Sequence, residues 1–325
     1  NLANTKGKKT SNAVKKLYPS GILECLMAET NRLQAAGWSR PPGSRQILYT
    51  RHVGCLQPKA PSPVTRYKPR ATVQAALLAL ASDTNLGNLL PLRERTLPQA
   101  ELIHQSLVSV LGDSALSCPA ITGRNADGTP LQGHQHAHFI PLDLNEDGRI
   151  DHFIIHAPMG LDPLAVQAIQ QVRKTWTKGD DRDIFVTCAG IGDLQLFAKQ
   201  IISRSGRPIS ELAFAKNWVS VTPFIPPRHI KKRRHSLDDQ IRAELASRNL
   251  PEPSQIELFS PHELITHGFL KYVRKRKPGK PQPPNTCVFG LRISFPEAVS
   301  GPIVIGYGAH FGLGLFEESP ISPGL

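Results

Sequence analysis

Aromatic side chains are scarce in this chain, at 6% of 325 residues. That scarcity excludes an extended base-stacking platform and leaves isolated stacking by Tyr272 or Tyr307. Long apolar runs are missing too: none reaches the eighteen residues that read as a membrane span. The cysteines, Cys25, Cys55, Cys118, Cys188 and Cys287, are odd in number and contain no CxxC spacing. That argues against a zinc knuckle or a disulfide framework and fits reduced thiols in a cytoplasm. Acidic residues are in deficit: 26 Asp and Glu against 39 Lys and Arg leave a net charge of +13. Such an excess predicts a polyanionic partner, a nucleic acid or an anionic membrane. Asn1 to Lys16 is polar and basic without an apolar core, so it does not read as a secretory signal. The chain opens on Asn1 rather than Met, so it is expected to begin inside a longer one.

Hydrophobic residues make up 40% of the chain, enough for a sizeable core. Residues 1–70 read as an accessory piece. Ser20 is placed to cap a helix carrying Ile22, Leu23, Leu26, Met27 and Leu33 and ending at Gly37. A strand candidate at Ile47–Thr50 and a linker with Pro58, Pro61, Pro63 and Pro69 follow. Residues 71–192 read as one α/β unit. Val73–Ala81 is ambiguous between helix and buried strand. Thr96 to Gln99 resembles a capping-box start for a helix to Leu111, stopped by Gly112. A histidine-bearing strand comes next, then a turn over Asp143–Asp151 and a strand over His152–His156. Asp162-Pro163 opens a helix with Ala165, Ile169, Val172 and Trp176 on one stripe, ending near Gly179. Ile184–Cys188 closes the unit as a strand. Strand, helix, strand, strand, helix, strand is the ferredoxin-like order. Residues 193–325 read as a second, looser unit. Its expected elements are strands over Trp218–Phe224, Val288–Phe295 and Ile303–Ile305, and a helix capped by Ser236 and running to about Ser247.

Within the first unit stands Gly133-His134-Gln135-His136-Ala137-His138. On a strand, side chains at i, i+2 and i+4 leave one face, so His134, His136 and His138 are expected to share a surface. Three readings follow. Imidazoles titrate near neutral pH and can act as general base and acid. His136 and His138 can form an HxH metal pair completed by a carboxylate such as Asp151. Or the three form a polar strand face. The run Asp143 to Asp151 resembles the front of a calcium loop, but Ile154 stands where the bidentate Glu belongs; a tight turn with Asx chemistry is the simpler reading. Gly306 to Phe316 is dense in glycine. It departs from the dinucleotide-binding spacing and reads either as a turn or as a backbone cradle for phosphate. Two basic runs, Arg228 to His235 and Lys271 to Lys277, can neutralise phosphates.

Three stretches resemble one family more specifically. They are Gly133 to His152, Trp218 to His229 with its Thr222-Pro223-Phe224-Ile225-Pro226-Pro227-Arg228-His229, and Gly301 to Phe316. With Gly37-Trp38 and Pro41 to Arg45, they are similar to the fused Cas-five/Cas-six subunit of type I-G (formerly I-U) CRISPR systems, in the RAMP superfamily. The resemblance covers most of the chain from about residue 37 onward. It implies an α+β fold of tandem ferredoxin-like (RRM/RAMP) domains, 71–192 and 193–325, with a C-terminal glycine-rich loop; residues 1–70 would be the tail of the Cas-five half. It implies metal-independent cleavage of CRISPR repeat RNA through attack of a 2′-hydroxyl, with no cofactor. The partners it implies are CRISPR RNA (repeat stem or handle), other subunits of a type I surveillance complex and, indirectly, target DNA, with no membrane.

His136 is the first expectation for general base, with His134 or His138 as acid or phosphate stabiliser and His310 beside the scissile phosphate. Arg228, Lys231, Lys232, Arg233, Arg234, Arg274, Lys275 and Arg276, with Gly306, Gly308, Gly312 and Gly314, are expected to hold the RNA. Two rivals are a non-catalytic guide-RNA-binding subunit and a metal-dependent nuclease built on the histidine strand. Many related enzymes keep the catalytic histidine near the first helix, whereas the Leu97–Leu111 segment carries only His104.

Overall fold

The structure, a computed structural model, describes residues 23, 27, 29–35, 73–82, 90–175, 184–231 and 235–319. The chain divides into two compact units, Asn1–Arg66 and Tyr67–Leu325. In the first unit Thr30–Ala35 is helical, as are the exposed Leu23 and Met27. Ser20, the Ile47–Thr50 strand and the proline-rich linker lie outside the described residues.

The second unit is α+β. Its first sheet has the order β2-β3-β1-β5-β4, with β1 Ala75–Ser82, β2 His138–Leu142, β3 His152–His156, β4 Lys174–Thr175 and β5 Ile184–Gly192. Helix α1, Thr96–Leu111, joins β1 to β2, and helix α2, Pro163–Gln171, follows β3. This is the antiparallel ferredoxin-like order with a two-residue edge strand added. Val73–Ala81, ambiguous by pattern, contributes the central strand: β1 pairs with β3 from Ala75↔His156 to Ala79↔His152 and with β5 on its other side. Alanine and leucine favour helix, but a position flanked on both edges and buried on both faces overrides that preference.

Local signals explain the ends of several elements. The Asp162 carboxylate accepts from Ala165 N at 2.8 Å and Pro163 stands at the first helical position, as the sequence implies. That helix stops at Gln171, short of the expected Gly179, because the chain turns into β4; Trp176 lies outside the described residues. Thr96 is not a cap: it is already helical, and its hydroxyl donates to Arg93 O at 2.7 Å. The Asp143–Asp151 run is a turn, with Asp143 accepting from Gly148 N at 2.9 Å and Asp151 accepting from Asn145 N at 2.9 Å.

The second sheet has the order β7-β8-β6-β9, with β6 Phe214–Ser220, β7 Gln255–Leu258, β8 Leu291–Ser300 and β9 Phe316–Glu318. Helix α3, Leu237–Ala246, joins β6 to β7 behind a capping box of Ser236 and Asp239. The strand order repeats that of the first sheet. The glycine-dense segment stands between β8 and β9, where the second helix of a ferredoxin-like unit would be. Phe224 and Val304, expected in strands, make only isolated bridges, to Phe289 and Leu315.

One face of the first sheet packs Leu78, Phe139, Phe153 and Ile155 against Ile103 and Leu107 of α1 and Ile169 of α2. On the other face, Ala75, Ile140, Leu142 and Ile154 meet Phe197 and Ile201, together with Ala309 and Leu315 from the glycine-dense segment and Val304 just before it. That segment is therefore a wedge between the two sheets.

Glycine is required in the wedge. Gly314 has φ +65°, and a Cβ there would overlap the Ile305 carbonyl oxygen. At Gly312, φ +79°, a Cβ would press on Pro141 and Thr96 at 2.7 Å. Replacing Gly314 by Ala is expected to destabilise the protein by at least about 3 kcal/mol, combining left-handed strain with overpacking. The melting temperature should fall by roughly 6–12 °C. Gly128, φ +84° with nothing within 4 Å of a Cβ, is the control, and its Ala variant should lose only about 1 kcal/mol. Equal melting temperatures for the two variants would refute the wedge.

Candidate active site

The strand that carries the histidines starts later than the alternation predicts. β2 begins at His138, and His134 and His136 precede it in an irregular loop after Gly133, φ +79°. Ala137 N donates to Ala120 O at 2.8 Å and Met159 N to Gln135 O at 3.0 Å, so the loop is tied to its surroundings rather than to a sheet partner. The rings nevertheless come together, because His310 reaches in from the glycine-dense wedge. Its ring stacks on His136 at 3.8 Å and 8°, and on His138 at 4.0 Å and 16°. His134 lies 5.4 Å from it, centroid to centroid.

Hydrogen bonding sets the tautomers. His310 Nδ1 is 3.1 Å from the Ala137 carbonyl oxygen, which only accepts, so Nδ1 carries the proton. Burial, followed by the nearby His136, holds His310 well below the usual histidine range, so the ring is neutral and Nε2 has a lone pair. His134 Nδ1 sits 3.2 Å from that Nε2 and must donate to it. His134 Nε2 is left with the lone pair of a neutral imidazole. Burial also lowers His134, with Arg248 adding to the effect and Glu244 opposing it. Burial pushes His136 down to about 4, with His134 adding to the effect, and holds His138 well below its ordinary value. His136 Nδ1 and His138 Nε2 are buried without a hydrogen-bond partner among the described residues. The ring nitrogens that His134, His138 and His310 can offer to a metal all lie within 4.8 Å of one another.

Sequence reasoning missed Arg248 and Glu244, at the end of α3. Glu244 Oε2 accepts from Gly306 N at 2.8 Å and from Arg248 Nη1 at 3.0 Å. Arg248 Nε and Nη2 are buried with no partner among the described residues. A buried cation with two unmade donors is costly unless an acceptor completes it. In sequence the pair reads only as an ordinary i,i+4 contact on a helix.

The other expected residues divide. Arg228, Lys231 and Lys275 are exposed. Lys232, Arg233 and Arg234 lie outside the described residues. Arg274 donates to Thr286 O at 2.8 Å. Arg276 pairs with Glu101 of α1 and lies 4.7 Å over the Phe311 ring, which ties the second basic run to the first sheet. The N–H groups of Gly306, Gly312 and Gly314 are engaged by Glu244, Ala309 O and Pro223 O. Tyr272 is buried among Leu97, Ile225 and Phe269, so it does not offer a face for stacking. His104 sits edge-on to Phe139 and Phe311, both at 5.8 Å, as an aromatic packing residue. Asp151 turns away from the cluster to Leu144 N, Asn145 N and His152, so it is not the carboxylate of a metal pair.

A separate cavity of about 1640 Å³ is lined by Asp143, Glu146, Asp193, Glu211, Glu317 and Glu318 against Arg93, Lys199 and Arg207. Its acidic balance repels a polyanion, which leaves the histidine cluster as the candidate site. No described helix is long and apolar enough to cross a membrane. No family model and no curated protein matches the chain. Among solved structures, a Cas6 product complex is similar over 76% of this chain and 99% of its own, at 13% identity and a TM-score of 0.33.

Proposed function

We propose that this chain is a metal-independent endoribonuclease of CRISPR repeat RNA. The observation that carries the reading is the neighbourhood of the histidine cluster: a neutral His134 with a lone pair on Nε2, and a guanidinium with two unmade donors whose charge acts on that ring. The net charge of +13 and the family resemblance of the three sequence stretches support the same substrate.

His134 Nε2 takes the proton of a 2′-hydroxyl. The 2′-oxygen attacks the adjacent phosphorus and the bond from phosphorus to the 5′-oxygen breaks, leaving a 2′,3′-cyclic phosphate and a 5′-hydroxyl. Arg248 donates to the non-bridging oxygens, whose charge grows in the transition state. Its donors are buried, so the phosphate reaches them through a local opening at the cluster. The leaving oxygen takes its proton from solvent, because His136, at about 4, is neutral at pH 7. His310 positions His134 through the nitrogen-to-nitrogen hydrogen bond. Arg228, Lys231 and Lys275 hold the RNA backbone through charge. The processed guide stays bound, and the chain joins other subunits of a type I surveillance complex.

The reading is tested by cleavage of the cognate repeat in excess EDTA. Wild type should cut, and His134→Ala should cut about 10²–10⁴-fold more slowly with RNA affinity retained. Cleavage that survives combined replacement of His134, His136 and His138 by Ala removes the assignment.

A further inference from the structure

We propose that His134, His138 and His310 form a binding site for a divalent zinc ion, and that zinc there switches the cleavage off; the second half rests on the function proposed above. Three observations support the site. First, the separation of His134 Nδ1 and His310 Nε2, 3.2 Å, matches the edge of a tetrahedron with zinc–nitrogen bonds of about 2.0 Å, an edge of roughly 3.3 Å. Second, His310 gives its other ring N–H to the Ala137 carbonyl. Such a backbone acceptor fixes the tautomer and aims the ligating nitrogen of a metal-bound histidine. Third, His138 Nε2 is buried and without a partner among the described residues, so a ligand gained there displaces no existing bond.

Imidazole nitrogens suit zinc. Of the three ligating nitrogens, only His134 Nδ1 carries a proton that must move before the metal enters, because His310 Nε2 accepts from it and His138 Nε2 has no partner among the described residues. Glu244 and Arg248 form an ion pair and add no net charge beside the site. The His138 and His310 rings are 16° from parallel. One of them must turn about its χ2 bond to aim at a shared ion, and His138 has no hydrogen bond at Nε2 to break in doing so. Three protein ligands leave a fourth position for water.

The inhibition follows from the tautomers. Zinc on His134 Nδ1 replaces the proton donated to His310, and that proton moves through solvent to His134 Nε2. The lone pair proposed to take the 2′-hydroxyl proton is then gone.

Zinc binding to the purified chain is measured by calorimetry, with Co²⁺ absorption as the report of coordination. The expected result is one ion per chain, with a tetrahedral nitrogen-rich Co²⁺ spectrum. Affinity should fall at least about 100-fold in His138→Ala and in His310→Ala, since loss of a ligand exceeds the 10–100-fold loss of an outer contact. Binding by His152→Ala, whose ring is bonded to Asp151 at the other end of the β2–β3 pair from His138, should stay within about threefold, and melting temperatures identify any variant that fails to fold. Absence of stoichiometric binding, or binding unchanged in both ligand variants, overturns the site. Repeat cleavage is then followed as zinc is added and chelated: reversible inhibition at the same stoichiometry is expected, and stimulation overturns the switch. Zinc binding by a chain that cuts no RNA under any condition sinks the endoribonuclease reading and the switch while leaving the site in place.

Discussion

Replacing Arg248 by Met is expected to slow single-turnover cleavage of saturating repeat RNA about 10²–10³-fold, the usual loss when one preorganised donor to a developing oxyanion is removed. The guanidinium meets the requirements for that role. It is held from one side by Glu244, and its remaining Nε and Nη2 donors are buried and lack acceptors among the described residues. Arg248→Lys should restore little, because one ammonium cannot keep the Glu244 contact and also present two parallel donors. RNA affinity should change far less than rate, since the exposed Arg228, Lys231 and Lys275 are the residues proposed to hold the RNA backbone through charge. The variant also leaves Glu244 with its Gly306 N contact, so the melting temperature separates misfolding from lost chemistry. A rate within threefold of wild type, in a variant that melts normally, would remove Arg248 from the reaction.

Acid should unfold this protein earlier than its carboxylates predict. His104, His136 and His156 are each pushed down to about 4, by burial first. An unfolded histidine titrates near 6.5. Between those values the unfolded chain binds more protons, so stability rises with pH across the window. The contribution is complete above about pH 6.5 and drains away as the pH falls toward 4. At pH 5 each of the three groups has lost up to about 2 kcal/mol, by the usual 1.4 kcal/mol per unit. Stacked neighbours do not add fully, so at least about 3 kcal/mol in total is expected, a drop in melting temperature of roughly 6–12 °C between pH 7 and pH 5. The lowered carboxyls of Asp151 and Glu263 act only below their ordinary values, outside this window, while the raised Asp143 and Glu211 work in the opposite sense. Thermal melts at pH 7, 6 and 5 decide the matter. A flat profile would mean that these imidazoles are not held neutral by the fold. His156→Gln should flatten the profile in part, because a neutral amide has no proton to gain.

Several elements were legible because their determinants lie within a few residues of one another. Asp162-Pro163 starts α2, Ser236 with Asp239 starts α3, His152–His156 forms β3, and the Asp143–Asp151 run turns between two strands. Each rests on a cap, a side-chain period or an Asx contact that closes locally. The order of elements over residues 71–192 was likewise sufficient for the ferredoxin-like topology there, because that topology is the one in which both helices cover a single sheet face.

Other features depended on residues far apart in sequence. Val73–Ala81 carries a helical composition, and only pairing on both edges makes it the central strand. The alternation of His134, His136 and His138 predicted a shared surface, yet only His138 is in the strand. The fourth ring, His310, stands 176 residues from His134, and no local period links them. Glycines that read either as a turn or as a cradle for phosphate permit the wedge to enter between the sheets, and the N–H groups of Gly306, Gly312 and Gly314 close on Glu244 and neighbouring carbonyls.

Sequence alone therefore determined the inventory: three alternating imidazoles, a basic excess and a glycine-dense segment before the last strand. Tertiary structure decided how they combine. Stacking, tautomer choice and the unmade bonds of Arg248 arise where the wedge meets β2, and contacts across that junction leave no mark in the spacing of either segment.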